Sequence, residues 1–305
     1  MTTTAATTTD DAVLVVDKPL GVTSFDVVRQ VRRAARVKRV GHGGTLDPLA
    51  SGVLPICLGE ATKLAQFLLD ADKEYTFTVC FGVETDSEDA AGAVIARADA
   101  SGVEAAAVER ALAGFRGSIT QVPPVYSALK RAGRPLYDYA RAGETVTAEA
   151  RTVVIHALAL VAFRGPEAVD LSVRCSKGTY VRALARDLGR TLGPGAHVTA
   201  LRRTRSGPFA LADAHPLDEV VAALSAGQGG TRLRRVGLAA ALGHLEQRVV
   251  TDTMAKDLRV GRRIPWDFED QRRLCLLDGQ GHLVAVAEPR ADGMLGSLRV
   301  FGVTH

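Results

Sequence analysis

The chain has 305 residues, 47 % hydrophobic and 24 % charged, with a net charge of +4. It can bury a full core, which excludes a disordered chain. Its longest apolar runs, such as 153–163, are too short to span a membrane as a helix.

MTTTAATTTDD at 1–11 lacks a basic or hydrophobic leader region and reads as a disordered tail. AVLVV at 12–16 is a short strand. Thr23 and Asp26 have capping-box spacing, and a helix follows with Phe25, Val27, Val28 and Val31 on its apolar side. Between Val28 and Val40 stand Arg29, Arg32, Arg33, Arg36, Lys38 and Arg39 with no acid among them. GVLPICLG (52–59) reads as a buried strand, and EATKLAQFLLDADK (60–73) as a helix with Leu64, Phe67 and Leu68 inward. EYTFTVCFGVET (74–85) alternates, with Tyr75, Phe77, Val79 and Phe81 on one face, the pattern of a half-buried strand.

A helix is predicted at 103–115. The Pro-, Tyr- and basic-rich stretch at about 124–150 is poorly periodic and reads as a mobile insertion suited to gripping nucleic acid. Strands at 153–163 and 168–175 are expected to pair. GTYVRALARDLGRTLG (178–193) is a helix with Val181, Leu184, Ala185 and Leu188 inward. The main body, 12–248, closes with an apolar stretch at 238–245. From 249 to 305 a short helix, a hairpin and a last strand make a small β-rich module. Strands and helices mix without a βαβ rhythm, so the class is α+β.

Cys57, Cys80, Cys175 and Cys275 are far apart and no CxxC occurs; the seven histidines form no HxxxH or HExxH pair. Neither a zinc site nor a disulfide framework is expected, and a reducing cytoplasm is the natural setting. Arginine clusters recur at 202, 203 and 205, at 232, 234 and 235, and at 259, 262 and 263. They suit a polyanion partner, although any one of them equally suits a solvated helix face.

GHGGTLDPLASG, 41–52, carries the one acid between Asp26 and Glu60. Pro48 keeps Asp47 extended, and the glycines permit a tight turn and a close approach. Such a carboxylate can serve as nucleophile, general base or metal ligand, or simply cap a turn. The stretch lacks the lysine of a P-loop and no GxSxG elbow is present. No second acid stands in a comparable context to make a glycosidase pair.

GHGGTLDPLASGVLPICLGEATK resembles the signature of the TruB family, the bacterial tRNA pseudouridine-55 synthases. VDKPLGVTSFDVV (16–28), QVPPVYSALKRAGRPLYDYARAGE (121–144), CSKGTYVRALARDLG (175–189) and GAHVTALRRTRSGPF (195–209) resemble further family blocks in the same order. LRVGRRIP (258–265) resembles the start of the family's PUA-like module. The sequence departs mildly from the family pattern at Gly43–Thr45.

The resemblance implies a mixed, largely antiparallel central sheet with flanking helices, and isomerisation of uridine 55 in the tRNA T-loop without cofactor or metal. It implies Asp47 as the nucleophile, Tyr75 stacking on the flipped base, and Arg182 pairing with the nucleophile. His42, Tyr180 and Leu201 match positions lining the uridine site, and Lys63 and Lys18 are further phosphate or site contacts. The partner implied is tRNA, bound by a monomer with no obligatory protein partner and no membrane. The rivals are a guide-RNA-dependent relative and a non-catalytic tRNA binder or folding protein.

Overall fold

The computed structural model describes residues 11–144, 146–227, 233–266 and 272–302. The expected tail lies outside them except Asp11, whose carboxylate accepts from the Glu60 N–H at 2.7 Å. Arg232 also lies outside the described residues.

The main sheet is built from β1 (Ala12–Lys18), β2 (Ala50–Leu58), β3 (Lys73–Phe81), β4 (Gly117–Gln121), β5 (Arg151–Phe163), β6 (Ala168–Cys175) and β7 (Ala196–Ser206). Its order is β1-β2-β7-β3-β6-β5-β4, with a short strand at His215–Pro216 beyond β1. β7 runs parallel to β2, and the other pairs along this run are antiparallel. The expected mixed α+β architecture is what the chain adopts.

β1 and β2 read as continuous apolar runs because both of their faces are covered. Leu14, Val16, Leu54 and Ile56 face a core shared with α1 (Ser24–Ala35), α3 (Ala105–Ala113), α5 (Val181–Leu192) and α6 (Leu217–Ser225). Val13, Val15, Val53 and Cys57 face a second core. There they meet Phe67 and Leu68 of α2 (Ala65–Asp70) together with Cys275, Leu283, Val286 and Phe301. β3 alternates as expected: Phe77, Val79 and Phe81 are buried and Thr76 is exposed.

Thr23 and Asp26 form the capping box of α1, which buries Val27, Val28, Val31 and Ala34. Phe25 is 62 % exposed, contrary to expectation, because the buried stripe runs through 24, 27, 28, 31 and 34 and leaves 25 outside it. The helix expected over 60–73 is instead a 3₁₀ segment, Gly59–Leu64, followed by the short α2. Thr62 Oγ1 donates to the Gly59 carbonyl at 2.6 Å, a local bond that competes with regular helix at this start. The insertion carries a hairpin, 130–131 against 134–135, and α4 (Leu136–Arg141), with Leu136 and Val146 buried.

The C-terminal sheet holds β8 (Glu246–Val249), β9 (Leu274–Leu277), β10 (Leu283–Pro289) and β11 (Met294–Val300), flanked by α7 (Asp252–Arg259). It therefore begins at Glu246, three residues before the expected boundary.

Gly52 sits beside Arg203 at the β2–β7 crossing with φ +103°, and an added Cβ would meet the Arg203 carbonyl oxygen at 2.2 Å. Gly52→Ala is expected to destabilise by about 3 kcal/mol or more, read by urea unfolding. Burial pushes the Cys57 thiol up from 9.0 to about 12. The unfolded thiol ionises first, so the stability linked to this group is complete below about pH 9 and is lost as pH rises toward 12. Between pH 9 and 10.5 the wild type is expected to lose about 1.5 kcal/mol more than Cys57→Ala in denaturant titrations.

Candidate active site

The 41–49 loop is fixed from several directions. His42 still pairs with Ile56 of β2, and the Gly43 N–H donates to the Pro55 carbonyl at 2.8 Å. A Cβ on Gly43 would lie 2.8 Å from Leu68, so only glycine passes over α2 there. Ser24 Oγ accepts from the Leu46 N–H at 2.8 Å and donates to its carbonyl at 3.1 Å. Past the aspartate, the Pro48 carbonyl accepts from Gly21 at 2.8 Å and the Asp47 carbonyl from Ala50 at 3.0 Å.

Arg203 braces the loop from inside. It is 1 % exposed and donates to the carbonyls of Val53 (2.7 Å), Thr45 (3.2 Å) and Gly44 (3.1 Å). Three neutral acceptors satisfy one buried cation, and this fixes the approach to Asp47. The cluster at 202, 203 and 205, expected to face a polyanion, is thus divided. Arg202 pairs with Asp17 at 2.7 Å, and Arg205 lies 3.5 Å from Glu74.

Asp47 and Arg182 come together as expected. Arg182, on the first turn of α5, places Nη2 2.8 Å from Asp47 Oδ2; their side chains are 4 % and 37 % exposed respectively. The same guanidinium donates to the carbonyls of Ser87 (2.8 Å) and Tyr126 (2.9 Å) and lies 3.5 Å from buried Asp89. A buried cation is held between two carboxylates, one inside the protein and one facing the cavity.

That cavity has a volume of about 240 Å³ and is lined by Asp47, Lys73, Tyr75, Tyr180, Arg182 and Leu201, among others. It holds the space of about eight waters, more than enough room for a single pyrimidine base. Burial pushes the Tyr75 phenol up, against the opposing charge of Arg203 across the strand pair, so the ring presents a neutral face. Tyr180 caps α5, and its backbone is clamped by the buried Gln121 side chain at 2.8 and 3.1 Å. Leu201, 8 % exposed, packs between Phe77 and Ala50.

Three expected site residues do not line this cavity. His42 is half-buried behind the loop, 3.4 Å from the Gly44 N–H, and burial pushes its ring pKa down. Lys18 is fully buried and donates to the carbonyls of Pro19 (2.9 Å) and Val22 (2.7 Å), which leaves it closing its own turn and out of reach of a phosphate. Burial lowers its pKa to about 8, while the Asp47 charge acts to raise it. Lys63 pairs with Glu60 and donates to the Val300 carbonyl at 3.2 Å, at the junction with the C-terminal sheet.

No sequence pattern singles out Gln121, Ser24, Asp89 or Lys73, and Arg203 figures there only as one of a basic cluster. Lys73 donates to the carbonyls of Leu68, Leu69 and Ala71, and burial lowers its pKa to about 8. For Arg203 a signal existed, since it is in phase with Leu201 on a strand and opposite a glycine. No cluster of three or more His, Cys, Asp or Glu able to hold a metal occurs among the described residues.

Residues 32–181 match the family model described as TruB family pseudouridylate synthase (N terminal domain), and residues 182–242 match that of the tRNA pseudouridylate synthase B C-terminal domain. A tRNA pseudouridine synthase B from Aromatoleum aromaticum is 46 % identical over 294 residues, spanning 95 % of this chain and 92 % of its own. The chain belongs to the TruB family of pseudouridylate synthases. Its TruB relative from Burkholderia pseudomallei (strain 668), also a tRNA pseudouridine synthase B, is 57 % identical over 213 residues, 70 % of each chain. A chain in the crystal structure of a Cbf5-Nop10-Gar1 complex superposes with a TM-score of 0.75 at 26 % identity, over 97 % of this chain and 85 % of its own. A chain in the structure of an H/ACA RNP bound to a substrate RNA containing 2'-deoxyuridine shares the fold, with a TM-score of 0.73 at 23 % identity over 99 % and 93 %. The cavity of this TruB family member draws on both matched segments: Asp47 and Tyr75 lie in the first, Arg182, Leu201 and Arg203 in the second.

Proposed function

We propose that the chain isomerises uridine 55 in the T-loop of tRNA to pseudouridine, with Asp47 as the nucleophile. The observation that carries this reading is the Asp47–Arg182 pair at 2.8 Å on the wall of a cavity with room for a pyrimidine base. A base stacked in the T-loop must be flipped out to reach it, at a cost of a few kcal/mol. Tyr75 offers the ring on which the flipped base stacks. Arg182 holds one carboxylate oxygen and leaves the other for the nucleotide. The N1–C1′ bond breaks, the base turns, C5 bonds to C1′, and the C5 proton is lost as N1 gains one, so the net change is an isomerisation.

Exposed Arg33 and Lys38, with the insertion and the C-terminal sheet as a PUA-like module, would hold the tRNA arm chiefly through phosphate and shape. The enzyme would act in the cytoplasm as a monomer with no protein partner. The likeness to a chain of the Cbf5-Nop10-Gar1 complex favours a second reading, activity only within a larger RNA–protein assembly.

Carbodiimide–primer-extension mapping of an unmodified tRNA transcript with the purified chain alone separates the two. A single stop at position 55, lost when that uridine is changed to cytidine, supports the stand-alone reading. A stop at another position, or none until a guide RNA and proteins are added, overturns it.

A further inference from the structure

Arg151 begins β5, where the insertion rejoins the main sheet. Its guanidinium lies 5.9 Å from the centre of the Tyr180 ring, and Nη1 would stand 3.5 Å from a Cβ on Gly178; both residues line the Asp47 cavity. Its Nε is buried and makes no hydrogen bond, and among the described residues Arg151 has no carboxylate partner. The other arginines close to the site are engaged: Arg182 by Asp47 and Asp89, Arg203 by three carbonyls, Arg186 by Glu88. The side chain is only partly buried and its Nη groups, too, make no hydrogen bond among the described residues, so the outer edge of the fork is open to an acceptor from outside the chain.

Arg151 also borders a second cavity, of about 540 Å³, together with Lys130 and Arg131 of the insertion hairpin. Both are exposed and neither pairs with an acid among the described residues. Among the described residues, the one acid on its wall is Glu149, also exposed. Three cations against one carboxylate, around a guanidinium with a free edge, suit a phosphodiester, which a guanidinium fork matches in geometry.

We propose that this cleft takes the ribose–phosphate backbone beside the flipped uridine, with Arg151 gripping the phosphate that adjoins the target nucleotide. The assignment rests on the reading of the Asp47 cavity as the uridine site. Arg151 then works as a positioning residue. It holds the strand while its face packs on Tyr180, so that binding the phosphate and ordering the cavity wall become one event.

The test uses a T-arm stem-loop RNA, native or with a single methylphosphonate on either side of the target uridine, and the full chain as wild type, Arg151→Gln and Arg151→Lys. Conversion, KM, kcat and the salt dependence of binding are measured. One of the two methylphosphonates should weaken wild-type binding about tenfold, the effect of one charge-assisted contact. Arg151→Gln should show a similar loss on native RNA and no further loss with that methylphosphonate. Its slope of log K against log salt should be smaller by about 0.7–0.9. Arg151→Lys, which keeps the charge without the fork, should recover part of the affinity.

Additive losses from variant and methylphosphonate, or a lowered kcat with no coupling between them, would make Arg151 a support for Tyr180 only and overturn the phosphate site. If Arg151→Gln does not fold, the exposed pair Lys130→Gln/Arg131→Gln decides: a smaller salt slope supports the cleft, and an unchanged one removes it. Failure of the wild type to convert native RNA would instead overturn the reading of the Asp47 cavity.

Discussion

Asp47→Asn is expected to leave no pseudouridine above background in single-turnover assays, a loss of ~10⁴-fold or more, as for removal of a covalent nucleophile. The amide is almost the size of the carboxylate and can still accept the Arg182 hydrogen bond, so the cavity keeps its shape. The fold should survive, because Asp89 remains 3.5 Å from Arg182 and keeps that buried cation compensated. Binding of tRNA should change by a few-fold at most, since most of the contact with RNA lies outside the cavity. Filter binding and primer extension on the same preparation separate the two effects. Near-wild-type conversion by Asp47→Asn would show that the carboxylate is not the reacting group.

Arg203→Met is expected to cost about 3–5 kcal/mol of stability and to abolish conversion as well. The substitution removes the donor from the buried carbonyls of Gly44 and Val53 and from the half-buried one of Thr45, at about 1–3 kcal/mol for each that stays buried and unpaired. The loop would relax to find other donors, and Asp47 is only two residues past Thr45. Arg203→Lys keeps the charge but cannot reach three acceptors in a plane, and should fall between the two. Urea unfolding gives the stability term, and conversion by a sample verified as folded gives the positional one. A loss under about 1 kcal/mol would mean that the loop holds its shape without the brace.

Much of the fold was legible because hydrophobic period and capping chemistry are local. The Thr23–Asp26 box, the alternation through Phe77, Val79 and Phe81, and the inward Val181, Leu184, Ala185 and Leu188 all stand as read. The pair of Asp47 and Arg182, 135 positions apart, was reached through family blocks; no local pattern joins them. What escaped depends on long-range partners. Nothing near Arg203 in the chain announces that its acceptors lie 150 residues earlier in the Gly44–Val53 stretch. Lys18 looks like a free cation in the sequence, yet its partners are main-chain carbonyls, which a list of charges does not contain, and Lys63 is shared between Glu60 and the distant Val300 carbonyl. Phe25 was misjudged for the opposite reason: it satisfies the period loosely, and only the packing of α1 on α6 decides which way the helix rolls.

The second core has a consequence for how the molecule comes apart. Cys275, Leu283, Val286 and Phe301 of the C-terminal part are buried in one cluster with Val13, Val15 and Val53 of the main sheet and Phe67 of α2. Arg273 pairs with Asp70, which also holds Lys177 at 2.8 Å on the loop leading to Tyr180. Removing the C-terminal sheet would therefore expose the outer faces of β1 and β2 to water and loosen the rim of the cavity in the same step. Heating should produce one calorimetric transition whose area belongs to the whole chain, and a fragment cut near residue 245 should aggregate instead of persisting as a smaller enzyme.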